Sequence, residues 1–166
     1  MTAASDRLEL SRLVHRFGLG PKPGEYLQLL AGGIPQARAK ILARRSDPGL
    51  NALVTPPFPT MGQAPSDPTA SAAYWKEVYD QSVSVAMWWM DRMVLADYPF
   101  VERMTWFWHG HWATSISKVT YALPMKIQND TLRTHALGNF KDMSRAMVRD
   151  GCLLYTSIWT SRPANQ

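Results

Sequence analysis

The chain has 166 residues, 46% of them apolar and 19% charged, which suits one globular domain with a real core and excludes a disordered chain. A single cysteine, Cys152, excludes an internal disulfide framework and fits a reducing compartment. The net charge of +5 is divided into basic ends and an acidic middle: eight Lys/Arg against three acids over 1–45, two against six over 46–100, seven against four over 101–150. Such a distribution neutralises itself and argues against nucleic acid, which needs a continuous basic face.

The first ten residues hold no basic region followed by an apolar run, so the chain reads as lacking a signal peptide and cytoplasmic by default. Ser5 or Asp6 can cap a first helix running to about Arg16, with Leu10, Leu13, Val14 and Phe17 as its inner stripe. Phe17 to Glu25 holds Gly18, Gly20, Pro21, Pro23 and Gly24. It lacks the spacing and the Lys-Ser/Thr pair of a phosphate loop and reads as a helix–helix corner. Two short helices are expected near 23–31 and 35–45, divided by Gly32 and Gly33. From Ser46 to Pro68 six prolines and no period predict an irregular surface connection.

Residues 70–96 read as the longest helix and the centre of the fold. Its inner stripe is assigned to Trp75, Val78, Tyr79, Ser82, Ala86, Trp89, Met90 and Met93. Trp88 falls toward the polar side, where a tryptophan points to contact with another helix or another chain. No run reaches the ~18 apolar residues of a transmembrane helix.

The densest motif follows: Trp106, Phe107, Trp108, His109, Gly110, His111 and Trp112, on a helix expected over 98–109. His109 and His111 lie two positions apart, about 200° around a regular helix, and could then share neither a metal ion nor a substrate. A helix ending at Gly110 would release His111 and let the two rings converge. Ser115 to Met125 reads as a loop. A last helix over 130–150, capped by Asn129 or Asp130, would carry His135, Asn139 and Asp142 in one row. No repeat and no alternating strand pattern is visible. The expectation is all-α, an irregular multi-helix domain of five or six helices around the long central one.

Four ordered segments carry a resemblance. They are Leu-Val-His-Arg-Phe-Gly-Leu-Gly-Pro-Lys-Pro-Gly-Glu (13–25), Trp-Trp-Met-Asp-Arg-Met (88–93), Phe-Trp-His-Gly-His-Trp-Ala-Thr-Ser (107–115) and Asn-Asp-Thr-Leu-Arg-Thr-His-Ala-Leu-Gly-Asn-Phe-Lys-Asp (129–142). Together they resemble the N-terminal part of the bacterial family catalogued as domain of unknown function 1800. The resemblance implies a mainly helical protein without an established activity, with histidines at the positions of His109, His111 and His135. Family members are usually much longer and many are exported, unlike what this N-terminus suggests. After Asp150 the sequence departs from the family pattern. The expected organisation is therefore one helical domain over 1–150, a family domain cut short, and a non-family tail over 151–166 that need not be native and contributes little to the fold. Faces left uncovered by such truncation would favour self-association.

Two functional readings follow, and the residues alone assign no reaction. In one, His109, His111 and His135 hold a divalent metal in a hydrolase-like site, with Asp142 orienting a ligand. In the other, Trp88, Trp106, Trp108 and Trp112, with His109, His111, His135, Asn139 and Asp142, form a binding surface for a glycan or a protein partner. The second is preferred, because three histidines without a firm carboxylate make a thin metal site.

Overall fold

The computed structural model describes residues 3–154. In chain order the elements are α1 (Ala3–Arg16), α2 (Glu25–Gly32), α3 (Ile34–Ile41), a 3-10 turn (Pro48–Leu50), α4 (Pro68–Leu95), α5 (Phe100–Trp112), α6 (Ile116–Val119), α7 (Ala122–His135) and α8 (Phe140–Met147). The fold is all-α, with more helices than the five or six expected and no strand among the described residues. Two units form: the chain up to Leu53 with Asp91–Trp106, and Val54–Met90 with the chain from Phe107 on.

The first unit is built on aliphatic packing. Leu10, Leu13 and Val14 of α1 meet Leu29 of α2 and Ile34, Ala37 and Ile41 of α3. The stripe expected on α1 is buried as far as Val14; Phe17 instead lies exposed, edge-on to Phe100. The corner after α1 requires its glycines. A Cβ on Gly18 would stand 2.8 Å from the carbonyl oxygen of Val14, and Gly24 caps α2 at φ 77°. Charged side chains tie the rim, with Arg38 on Glu9 and Lys40 on Glu25, both at 2.6 Å. Asp47 accepts from the backbone N–H groups of Gly49, Asp97 and Tyr98. A side chain at Gly49 would collide with the carbonyl oxygen of Leu95, 2.2 Å from an added Cβ. Glu102, buried, receives both Nε and Nη2 of Arg92, at 3.1 and 3.0 Å. That bidentate pairing is what makes a buried carboxylate tolerable.

The second unit overturns several sequence expectations. On α4 the buried face is Val78, Gln81, Val85 and Trp88, at i, i+3, i+7 and i+10. Trp75, Tyr79 and Met90, assigned inward, are exposed. Apolar residues surround α4, so apolarity alone could not orient it; what packs against it decides. Trp88 is 3% exposed and lies on the buried face. The contact with another helix expected of it is made with α7, whose Lys126 and Arg133 stand over its ring. Its Nε1–H donates to Thr55 Oγ1 at 3.2 Å, and its ring meets Phe58 edge-on. The proline-rich segment thus contributes core, through Phe58, and is more than a surface connection. Gln81 is buried because its amide donates to Glu77 Oε1 and contacts Met61 Sδ.

Ser115 to Met125 is not a loop: α6 and the start of α7 occupy it, with Pro124 in the first turn of α7, where a missing N–H is harmless. No continuous helix spans 130–150. α7 stops at His135, and Asn139 caps α8 by accepting the backbone N–H of Lys141 at 2.8 Å. Asn129 and Asp130, expected as caps, lie inside α7. Leu132, Met143 and Met147 form a core with Trp108, Trp112 and Leu153 packed on it. Behind it runs a buried polar chain: Thr114 bonds Gln128, whose Nε2 donates to Asp150 Oδ1 at 2.6 Å. Asp150 also accepts the N–H groups of Cys152 and Leu153. Of residues 151–166, the described part 151–154 is integrated into the unit, with Cys152 fully buried; the remainder lies outside the described residues.

Candidate functional site

Helix α5 passes through Gly110 and ends at Trp112, with Ala113 at φ 48° and its N–H on the carbonyl oxygen of His109. Gly110 is therefore not the helix stop, and the convergence of His109 and His111 that depended on it does not occur. A Cβ on Gly110 would meet nothing within 4 Å. The two histidines enter different surroundings, as a regular helix demands for positions two apart.

His111 is exposed and sits in an aromatic cluster. Trp108 and Trp112 each lie 5.5 Å from it, Phe140 6.1 Å and Phe107 6.4 Å, centroid to centroid. Phe140, at the start of α8, stacks on both Trp108 and Trp112. The indole N–H of Trp108 donates to the carbonyl oxygen of Ala136 at 3.0 Å. This tryptophan closes the break between α7 and α8.

His109 faces α4 and meets Trp89 edge-on at 5.0 Å. Burial alone lowers its pKa from the ordinary 6.5, so the imidazole is neutral at pH 7. Both residues border a cavity of about 240 Å³, walled by Val85, Trp88, Trp89, Ile116 and Met125 and reached by the polar side chains of His109 and Asn129. Three segments far apart in sequence supply it: α4, the α5–α6 connection and α7.

The Trp89 Nε1–H and Asn129 Nδ2 groups are buried without a partner. Arg133 bonds the Asn129 carboxamide through its oxygen. A guanidinium can only donate, so the amide oxygen must face it and the NH₂ must face elsewhere. Each of these two lining residues thus leaves a buried donor unmade, at a cost of about 1–3 kcal/mol. Outside the cavity wall Lys126 and Arg133 stand 5.8 and 5.5 Å from the Trp88 ring centre.

The remaining sequence candidates lie elsewhere. Trp106 is half-exposed under the guanidinium of Arg103. His135 ends α7, Asn139 is occupied as a helix cap, and exposed Asp142 pairs loosely with Arg145 at 3.6 Å. The expected His135–Asn139–Asp142 row is broken because the helix carrying it is interrupted. Among the described residues no group of three or more His, Cys, Asp or Glu is placed to hold a metal ion. Sequence reasoning missed the roles of Asn129, read as a cap, and of Thr114 and Met125. No local signal marks them, since only the return of α7 beside α4 gives them a function.

The described residues form a helical domain with an aromatic-lined pocket that opens to the surface beside Ala86 and Ser115. The chain belongs to the family described as protein of unknown function DUF1800, whose model matches residues 12–165. The matched span continues past Asp150, over most of the segment that motif comparison set apart. No curated protein and no solved structure matches the chain. Among the described residues no helix is long and apolar enough to cross a membrane.

Proposed function

We propose that this domain is a binding module and that its ligand is a small organic molecule held in the cavity between Trp89, His109 and Asn129. The observation that carries the reading is an apolar-walled cavity whose lining includes the polar residues His109 and Asn129. Ligand pockets have this composition, mostly apolar with a few placed polar groups that fix orientation. An apolar cavity of about 150 Å³ already admits benzene, so about 240 Å³ accommodates one ring with a short substituent. A glycan or protein partner on the aromatic cluster around His111 draws on exposed rings that are already stacked on one another, which leaves fewer free faces.

The test is a panel of single-ring molecules, among them toluene, acetophenone and benzoate, followed by tryptophan fluorescence and ligand-observed NMR. Binding by any of them that is lost in Ala86→Trp, which plugs the cavity wall, supports the reading. No binding by any of them would overturn it. The metal reading on His109, His111 and His135 gains nothing from rings that face apart. Stoichiometric metal in the purified protein, lost in both His109→Ala and His111→Ala, would reinstate it over the present one.

A further inference from the structure

We infer that the exposed face of α4 is the interface for a second copy of this chain, laid antiparallel across a two-fold axis at Val83. The inference lies beyond the cavity-binding reading and does not depend on it.

Helix α4 buries one side, through Val78, Gln81, Val85 and Trp88. On the other side Trp75, Tyr79, Val83, Met87 and Met90 stand between 43% and 67% exposed, all within the second unit. At about 100° per residue these five fall within an arc of about 120° and run over about four turns. Apolar side chains exposed singly are ordinary, whereas a continuous row of large ones marks a contact surface. Trp75 is held ready for contact. Tyr74 meets it edge-on at 5.1 Å, and the Tyr74 hydroxyl donates to the carbonyl oxygen of Gly62 at 2.7 Å.

The order of the row selects a second copy. Tyr79 and Met87 lie four residues before and after Val83, with Trp75 eight before and Met90 seven after. A two-fold axis at Val83 therefore sets Tyr79 against the partner's Met87 and Trp75 against the partner's Met90. Each pair joins a ring to a flexible thioether, a favourable contact to which methionine adapts its shape. Parallel pairing would set ring on ring and lose that complementarity. A two-fold interface needs such a self-complementary patch, and an unrelated partner imposes no such symmetry. Lys76 and Asp80, along the edge of the row, are ion-paired with each other and together bring no net charge against a second copy. Five side chains about half exposed offer about 500 Å² per copy and about 1,000 Å² per dimer, the lower limit for specific association. The dimer is therefore weak, with a Kd on the order of 10–100 µM, and dilute protein is monomeric.

Sedimentation equilibrium of the unmodified protein from about 1 to about 500 µM tests this. The mean mass should rise from the monomer's 18.7 kDa toward twice that value. Val83→Glu puts two carboxylates face to face on the axis and should weaken association about ten-fold or more. Tyr79→Glu and Met87→Lys should each weaken it. The double variant should recover it, because antiparallel pairing brings the new charges together twice with opposite signs. A mass of 18.7 kDa at every concentration would overturn the inference. So would association that Val83→Glu leaves intact, association that grows beyond a dimer, or a double variant no better than its two parents. All three positions are exposed, and the circular dichroism of each variant should match that of the unmodified protein. The unmodified series decides the matter even if a variant fails to fold.

Discussion

The two units solve the same problem, burying helices, with different materials. The first closes on Leu10, Leu13, Val14, Leu29, Ile34, Ala37 and Ile41, and its buried polar side chains Glu102 and Thr105 are both hydrogen-bonded. The second buries Trp88, Met143 and Met147 beside Gln81, Gln128, Asn129 and Asp150. All three buried side-chain polar atoms without a partner among the described residues, on Trp89, Trp112 and Asn129, lie in this second unit. The first unit leaves no unmet buried donor among the described residues, whereas the rings and amides of the second leave three. The difference teaches where to look: the candidate cavity of about 240 Å³ lies in the unit whose buried side chains are aromatic and polar.

The comparison can be broken at its strongest point first. Trp88→Ala removes a buried ring that holds Phe58 and Thr55 in place, and should destabilise the protein by about 3–5 kcal/mol in urea denaturation. Trp75→Ala, on the exposed side of the same helix, should cost less than about 0.5 kcal/mol. Similar losses at both would mean that α4 is oriented otherwise.

A smaller effect separates the two units directly. Ala37 is fully buried, so Ala37→Leu should cost about 1–3 kcal/mol by overpacking. Ala86→Leu, at an exposed position on the rim of the cavity, should stay within about 0.5 kcal/mol of the unmodified protein. Equal penalties, read as equal falls in denaturation midpoint, would mean that Ala86 is buried or that Ala37 has room beside it.

The smallest effect concerns protonation. Burial depresses the pKa of His109, so the unfolded chain binds a proton that the folded one refuses. Stability from this source is complete above the unfolded value of 6.5 and is lost as pH falls below it toward the depressed folded value. Unfolding free energies measured at about pH 7.5 and about pH 5.5 should show this fall, and His109→Gln should flatten it. An unchanged slope in the variant would place His109 in water and open the cavity to solvent.

What the sequence by itself determined is the helical class, the position of α1 to α4 and the inner stripe of α1 as far as Val14, because these follow from local periodicity and from glycine and proline punctuation. Four ordered motifs likewise sufficed to find the family. Only the tertiary structure decided which side of α4 faces inward, since its apolar residues surround it and Phe58, Thr55 and α7 select Trp88. Tertiary structure also interrupted the expected final helix. Asn139 reads equally well inside a helix or capping one, and the packing of Trp108 onto the carbonyl oxygen of Ala136 settles which. The site belongs to the same category. His109 was legible because histidine amid tryptophans stands out, but its partners Trp89 and Asn129 lie 20 residues away on either side. No local pattern carries information about a gap that exists only when three segments come together.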